Sequence, residues 1–317
     1  MKRINRQGLL LFALVASFCG VEKRAYAWDD FLLTSFSGSS VERFDAFTGE
    51  NLGSFISANS GGLTNAAGVA VGPDSNVYVT SWGSNEILRY DGETGSFIDV
   101  FAAGNGLFRP NNIILRDDTF YVSQTGSGQS GFVRRYDAHT GDFIDNFLDV
   151  DFGDGILFGL DSVYVSAFGG GVNSYDLSDG SLIEEFIGEG EGGLQNPTAL
   201  LQRDDGSFLV SSFGTNSIKL YDANGNFVSD VITGLFQPEG LAIGPDGALY
   251  AGSFGSGLVN KYDPTNFNFL GEFANVGGNT NFFTFRTTTV PEPSSALFVV
   301  VLLSVASLIR NRNSKQP

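Results

Sequence analysis

One pattern of apolar and polar positions recurs through the middle of the chain. Its fullest copy begins at Pro238 with a nearly uniform apolar run over 241–243, followed by a Pro-Asp-Gly turn. Apolar and polar residues then alternate over 249–254 and 259–262, and an aromatic-rich segment over 269–273 ends the copy. Alternation with a period of two is typical of half-buried strands, and the uniform run suits a strand covered on both faces. Each copy therefore predicts four short strands.

Two markers give the period of the repeat. The first is an aromatic-Asp pair, with separations of 46, 46, 39, 46 and 41 residues: Phe44-Asp45, Tyr90-Asp91, Tyr136-Asp137, Tyr175-Asp176, Tyr221-Asp222 and Tyr262-Asp263. The second lies upstream of each pair: Ser35-Phe36, Ser81-Trp82, Ser123-Gln124, Ala167-Phe168, Ser212-Phe213 and Ser253-Phe254. A period in the forties, in a chain with 42 Gly and 30 Phe, predicts propeller blades. The pairs themselves suit a packing aromatic and a turn-capping Asp better than six active sites.

The ends of the repeat region predict how the propeller closes. The first copy begins at the second strand of a blade, and the apolar segment 281–285 has no blade after it. We therefore predict an all-β fold, a six-bladed β-propeller over 28–287 in which the last segment supplies the inner strand of the first blade. Residues 287–289 would link the ring to the tail. The alternatives are an open array or a seventh, degenerate blade between Gly188 and Gln195.

The recurrent phenylalanines at the outer strands have a predicted packing role. They close each copy and should pack between neighbouring blades: Phe55, Phe101, Phe147, Phe186 and Phe273.

The N-terminus has the features of a secretory signal peptide over 1–27. Lys2 and Arg3 precede an apolar core, and Ala25-Tyr26-Ala27 is a small-x-small site that predicts cleavage after Ala27. The single cysteine, Cys19, lies inside this segment, so the mature chain would hold no disulfide and depend on packing for stability.

The C-terminal residues 288–317 have three consecutive parts. Pro291-Glu292-Pro293 precedes an apolar segment over 296–309, and a basic end follows over 310–315. The apolar segment has 14 residues, short for a membrane span, so the residues alone allow a weak anchor or a buried helix. The order of the parts resembles the PEP-CTERM sorting signal of Gram-negative bacteria. That resemblance implies an exosortase as partner, cleavage near the motif, and export to the cell surface or matrix, with transient anchoring in the inner membrane and exopolysaccharide or surface proteins as neighbours.

Charge and composition exclude several function classes. The net charge is −17, and it becomes more negative if both basic ends are removed, so nucleic acid and anionic lipid should be repelled. The only histidine, His139, falls in a turn between outer strands. Zinc sites and Cys/His nucleophiles of the usual kinds are therefore not expected.

Aligning the copies on the inner strand places one residue of each blade at the mouth of the central channel. These are Ala67, Asn111, Asp154, Thr198, Glu239 and Thr280. Two carboxylates and an amide oxygen on one axis are hard oxygen ligands, suited to Ca²⁺ or Mg²⁺. Polar residues meeting channel water are the alternative interpretation.

The mouth resembles that of the calcium-dependent lactonases of the gluconolactonase/regucalcin-like (SMP-30) family, and the blade pattern is also similar to NHL propellers. The resemblance implies that Glu239, Asn111 and Asp154 hold calcium and that Asp154 is the base for water attack on a lactone. The chain departs from the family where Ala67 replaces an Asn and where Asn112 replaces a Gly. Predicted ligand-binding positions complete the set: Asn65, Asn112, Thr198 and Thr280.

These observations favour an exported, non-catalytic surface or matrix propeller that binds glycan or protein. The alternative is a calcium-dependent lactone hydrolase with its site at the channel mouth.

Overall fold

The structure is a computed structural model that describes the backbone of residues 26–124 and 131–289 and the side chains of 30–124 and 131–286. Residues 29–286 form a compact unit. The predicted signal core, the Pro-Glu-Pro motif and the C-terminal apolar segment lie outside the described residues. No helix within the described ranges is long and apolar enough to cross a membrane.

Within these ranges the chain forms six four-stranded sheets, the blades of a β-propeller. The strands are β1 (Tyr26–Ser35), β2 (Ser40–Asp45), β3 (Asn51–Ile56), β4 (Ala66–Val71), β5 (Val77–Ser81), β6 (Glu86–Tyr90), β7 (Phe97–Ala103), β8 (Pro110–Arg116), β9 (Thr119–Gln124), β10 (Phe132–Asp137), β11 (Phe143–Asp149), β12 (Gly153–Phe158), β13 (Ser162–Ala167), β14 (Val172–Asp176), β15 (Leu182–Ile187), β16 (Pro197–Gln202), β17 (Phe208–Ser212), β18 (Ser217–Tyr221), β19 (Phe227–Thr233), β20 (Pro238–Ile243), β21 (Leu249–Ser253), β22 (Leu258–Tyr262), β23 (Phe269–Asn275) and β24 (Phe283–Thr289). Blade 1 is β24-β1-β2-β3, and blades 2 to 6 take the remaining strands four at a time in chain order.

The last strand closes the ring, as the sequence predicted. β24 lies beside β1, and the Thr34 hydroxyl donates to the Phe282 carbonyl at 2.8 Å. The Phe31 ring packs against Phe283 and Phe285, each at 4.9 Å between centroids. Because the first and last segments share one sheet, the closing blade presents no unpaired seam on its inner side.

Phenylalanines of the outer strands fill the spaces between blades, which confirms their predicted packing role. Phe186 of blade 4 packs between Tyr164 of the same blade and Phe208 of blade 5, with tilted rings at 4.9 and 4.8 Å. Phe273 of blade 6 likewise meets Phe31 of blade 1 at 5.3 Å. Tilted and edge-to-face ring pairs of this kind add to the energy of area burial.

The aromatic-Asp pairs have the predicted structural role. Tyr90 is fully buried, and the Asp91 carboxylate accepts hydrogen bonds from the Glu93 and Thr94 amides at 3.1 and 2.8 Å. The bonds from Thr94, and to a lesser degree that from Glu93, hold the pKa of Asp91 below its ordinary value. His139 belongs to the equivalent turn of blade 3, where its amide donates to Asp137 at 2.9 Å.

Two sequence assignments need correction, and one alternative is excluded. Residues 287–289 continue β24 rather than forming a linker, which agrees with the strand preference of β-branched threonine. A short 3₁₀ turn, Glu191–Gly193, occupies the place of the alternative seventh blade, which agrees with the prediction of six blades. In blade 3 the second marker, Ser123-Gln124, was assigned one residue too early. Gln124 pairs with Pro110 just as Ser81 pairs with Ala66 in blade 2, so Gln124 corresponds to Ser81 and Ser123 to Thr80.

Candidate functional site

A β-bulge interrupts the beginning of five inner strands and sets the geometry of the channel end. The register breaks lie between Ala66 and Val69, Pro110 and Ile113, Gly153 and Ile156, Pro197 and Leu200, and Pro238 and Leu241. A bulge redirects a side chain that regular pairing would point elsewhere. The first residue inside each bulge is a predicted mouth position: Ala67, Asn111, Asp154, Thr198 and Glu239.

The sixth position belongs to Asn281 rather than to the predicted Thr280. The Phe36 amide donates to the Asn279 carbonyl at 2.8 Å, as the Trp82 amide does to Asn65 at 3.1 Å. Asn281 therefore occupies the register of Ala67, and Thr280 that of the residue preceding the bulge. The closing segment 281–285 has no Pro or Gly to mark the register, and this explains why the sequence predicted Thr280 instead of its neighbour Asn281. We call Ala67, Asn111, Asp154, Thr198, Glu239 and Asn281 the collar.

Buried hydroxyls on the second strands hold the collar backbone in place. The Ser123 hydroxyl accepts from the Asn112 amide of its own blade at 3.1 Å and donates to the Asp154 carbonyl of the next blade at 2.6 Å. Thr80 connects the Gly68 amide to the Asn111 carbonyl in the same way, with both distances 2.6 Å. Each bond satisfies a backbone group that the bulge removes from the ladder.

Several collar residues are followed by a glycine because there is no room for a side chain at that position. A Cβ added to Gly155 would lie 2.4 Å from the Thr198 carbonyl oxygen, and one added to Gly68 would lie 2.5 Å from that of Asn111. Neighbouring inner strands approach too closely here for any side chain. The Asp-Gly and Glu-Gly dipeptides that carry the resemblance to lactonases therefore also have a packing explanation.

A hydrogen-bond chain crosses the collar from blade 1 to blade 4. The Asn281 amide nitrogen donates to Asn111 Oδ1 at 3.1 Å, and Asn111 Nδ2 donates to Asp154 Oδ1 at 2.9 Å. Ala67 of blade 2 lies between the two asparagines in ring order, and its small side chain leaves room for the bond. Asn281 is only 4% exposed, and its Oδ1 accepts no hydrogen bond from the described residues. A buried amide oxygen in this state is available to a ligand.

Asp154 and Glu239 form a buried carboxylate pair. They are 2% and 5% exposed, and no Lys or Arg in the described ranges forms an ion pair with either. Burial raises the pKa of Asp154 to about 7. Burial, and secondarily the charge of Asp154, raises the pKa of Glu239 well above its ordinary value. Without a cation the pair therefore retains protons near neutral pH.

The donor set at the collar fits a hard cation. Two carboxylates and the Asn281 Oδ1, which has no partner in the described chain, are oxygen ligands of the kind that Ca²⁺ uses. Within the same residues there is no group of three or more His, Cys, Asp or Glu side chains placed to hold a metal ion. Any ion at the collar would therefore need the amide oxygens as well as the carboxylates.

The remaining predicted residues have mainly structural partners. The Thr198 and Thr280 hydroxyls donate to the carbonyls of Pro238 at 2.9 Å and Thr34 at 2.7 Å. Asn65 adopts a left-handed conformation with φ of 55°, and its Nδ2 donates to the Phe36 carbonyl at 3.2 Å. Asn112 differs, because it lines the channel itself.

Beyond the collar the channel is lined mainly by apolar residues. A cavity of about 640 Å³ begins at Asn112, Gly155 and Phe282, the residues that follow collar positions. Apolar side chains of the inner strands, such as Ile113 and Ile156, make up most of the remaining lining, together with Gln202 and Thr284. The buried carboxylates thus lie at one end of a channel with a mainly apolar lining.

Comparison with known structures agrees with this architecture. A chain in the crystal structure of a nidogen/laminin complex matches with a TM-score of 0.65 at 14% identity, over 81% of this chain and 98% of that one. A gluconolactonase from Xanthomonas campestris matches with a TM-score of 0.57 at 15% identity, over 70% of this chain and 78% of that one. At such identities the similarity shows the fold alone, a six-bladed β-propeller. No family model matches the chain, and no curated protein matches it in sequence.

Proposed function

We propose that this chain is an exported surface or matrix propeller that binds its ligand, a glycan or a protein, at the collar end of the channel. The observation that supports a binding site there is the buried Asp154–Glu239 pair, which lies beside an unsatisfied amide oxygen and has no basic partner in the described chain. Burying two carboxylates without compensation is costly, and folded proteins accept that cost where a ligand supplies the missing charge.

Calcium is the cation that the oxygen donors suit best. Asp154 and Glu239 would contribute charge, and Asn281 and Asn111 would contribute amide oxygens. Asn111 also orients Asp154 through its hydrogen bond. A bound calcium ion would supply a fixed positive charge on the propeller axis that polarises a ligand oxygen.

Calorimetric titration with calcium tests this proposal. Wild type should show saturable binding, and Glu239→Gln should weaken it about tenfold or more, because a charged ligand becomes neutral. Glu184→Gln is the matched control, since Glu184 is exposed on the outer strand β15 and should leave binding unchanged. Absence of a calcium signal in wild type would refute the cation site.

The second candidate is a calcium-dependent lactone hydrolase. Its support is the pKa of Asp154 at about 7, a value that suits a general base at neutral pH. Asp154 would accept a proton from the water that attacks the lactone carbonyl. A screen of aldonolactones, with Asp154→Asn as the negative control, tests for turnover. Calcium binding without turnover favours the binding protein.

Export and sorting form a separate part of the proposal. The signal-like N-terminus and the Pro291-Glu292-Pro293 tail support delivery to the surface of a Gram-negative-type bacterium by an exosortase. Mass spectrometry of the protein from its native host should find both ends removed. Retention of residues 296–309 would indicate a simple membrane anchor instead.

A further inference from the structure

Five blades place an aromatic residue directly after their second strand. These residues are Phe36, Trp82, Phe168, Phe213 and Phe254, and all are half-buried. Consecutive rings touch: the centroid distances are 5.7 Å for Trp82–Phe36 and Phe36–Phe254, 5.8 Å for Phe254–Phe213 and 5.5 Å for Phe213–Phe168. We call this set the aromatic iris. In blade 3 the equivalent residue is Thr125, which lies outside the described residues.

The iris and the collar lie at the same end of the channel. Each iris amide donates to the carbonyl of the residue two positions before a collar residue, as Phe168 does to Phe152 at 2.9 Å and Phe254 to Gln237 at 2.8 Å. The rings belong to successive blades of a six-bladed propeller, so their centroids approximate successive corners of a regular hexagon around the axis. In a regular hexagon the distance between neighbouring corners equals the distance from each corner to the centre. The ring centroids therefore lie about 5.7 Å from the propeller axis. An opening of this size admits one narrow chemical group of a ligand, such as an alkyl chain, rather than the broad face of a sugar or a folded protein.

Aromatic faces and buried carboxylates favour the same kind of ligand. The π-face of each ring attracts positive charge, and Asp154 and Glu239 have no cation of their own in the described chain. The Arg109 guanidinium lies 4.3 Å from the Trp82 centroid, so the rim of the iris already accommodates one cation. An anion would be repelled by a chain of net charge −17, and a neutral sugar would bring no counter-charge of its own to the carboxylate pair.

The acceptors at the collar also distinguish between types of organic cation. A primary alkylammonium carries three N–H donors. The collar offers it three acceptors: the Asp154 carboxylate, the Glu239 carboxylate and Asn281 Oδ1, which has no donor among the described residues. A quaternary ammonium has no donor to satisfy them.

We propose that the iris and the collar form one site for a primary alkylammonium group, which enters along the propeller axis between the aromatic rings and donates to Asp154, Glu239 and Asn281. This inference rests on the premise of the proposed function that the collar is the ligand site, and it places the ammonium at Asp154, Glu239 and Asn281 in place of a calcium ion. The group can belong to a free amine or to a lysine side chain of a protein partner, since the ammonium and its alkyl stem are the same in both.

Fluorescence offers a direct test, because the chain has two tryptophans and one of them is Trp82. In a Trp28→Phe variant, Trp82 alone reports on the iris. The probe is n-butylammonium chloride, titrated at constant ionic strength, and 1-butanol is its neutral counterpart. We expect a saturable change with butylammonium, none with butanol, and binding at least about tenfold weaker for tetramethylammonium, which lacks N–H donors.

Variants identify the groups that bind the amine. Glu239→Gln should weaken butylammonium binding about tenfold or more, and Phe213→Leu about threefold. The matched control is Phe269→Leu, a phenylalanine that is 58% exposed on the outer strand β23 and should have no effect. If Phe213→Leu does not fold, Phe168→Leu provides the same test at the next blade.

The outcomes separate this inference from the proposed function. Calcium binding without butylammonium binding overturns the amine site and leaves the cation proposal intact. Equal response to butanol, an unaffected Glu239→Gln variant, or saturation by cellotriose in place of butylammonium also overturns it. Tighter binding of Nα-acetyl-lysine amide than of butylammonium supports a protein lysine as the source, and equal affinity supports a free amine.

Discussion

The Arg286 guanidinium forms a buried ion pair with the Asp30 carboxylate, and this pair joins the last strand of the propeller to the first. Both side chains are less than a tenth exposed. Arg286 also donates to the Gly92 carbonyl of blade 2, and its guanidinium lies 4.9 Å from the Phe55 centroid. Arg286 therefore supplies the charge that Asp30 needs, packs on Phe55 of its own blade and bonds to the neighbouring blade 2.

Removing one partner of this pair should destabilise the ring. Asp30→Ala leaves the Arg286 charge buried, and we expect the free energy of unfolding to fall by about 3–5 kcal/mol in chemical denaturation. The control is Asp145→Ala, which breaks the more exposed Arg135–Asp145 pair within blade 3 and should cost less than about 1 kcal/mol. Similar losses in both variants would show that the closing pair has no special role.

The carboxylate pair predicts an unusual dependence of stability on pH. The pKa of Asp154 rises from about 3.9 in the unfolded chain to about 7 in the folded one. Between these values the folded state binds more protons than the unfolded state, so stability present at low pH is lost as pH rises through the folded pKa.

Asp154→Asn should remove this loss. The variant should match wild type near pH 4 and exceed it by about 2–4 kcal/mol at pH 8 in thermal or chemical denaturation. Asp91→Asn is the control of opposite sign. The depressed pKa of Asp91 means that its stabilisation is present above the unfolded pKa and lost as pH falls through the folded pKa. A constant difference between Asp154→Asn and wild type across this range would contradict the assignment.

Two serines on equivalent strands should respond differently to alanine substitution. Ser123 bonds to the Asn112 amide and the Asp154 carbonyl, whereas the buried Ser211 hydroxyl has no partner among the described residues. Ser123→Ala should cost about 1–3 kcal/mol because it leaves buried backbone groups unsatisfied. Ser211→Ala should be neutral or stabilising. Thermal denaturation of both variants checks the difference, and equal costs would argue against the hydroxyl bridges.

A glycine pair tests how closely the inner strands approach. Gly155→Ala would place a Cβ 2.4 Å from the Thr198 carbonyl oxygen, and we expect a loss of about 1–3 kcal/mol from strand displacement. Gly188→Ala meets nothing within 4 Å and should be tolerated. Denaturation curves give the comparison. An undisturbed Gly155→Ala variant would show that the strands can separate without cost.

The sequence predicts the blades well because their markers have local causes. An aromatic followed by Asp combines a buried ring and an Asx turn within a few residues, as at Tyr90-Asp91. The closing strand was also predictable, since the first copy lacked the segment that the last one had in excess.

The collar was predicted only in part because its details depend on bulges and on contacts between distant blades. Sequence alignment brought Asn111, Asp154 and Glu239 to one axis but placed Thr280 where Asn281 lies. The bond from Asn281 to Asn111 depends on the small size of Ala67 and on an inter-blade distance that no local pattern encodes. The recurring aromatic of the second marker was visible, but its ring-to-ring contacts required the structure.

Asn281 reaches the collar only when the closing strand has docked. A chain that emerges from a translocation pore with its N-terminus first would carry the other five collar positions for some time without this one. Under the proposed function, recognition of ligand at the collar begins late, after almost the whole chain has been delivered, and a molecule truncated before this point would be unable to assemble the complete collar.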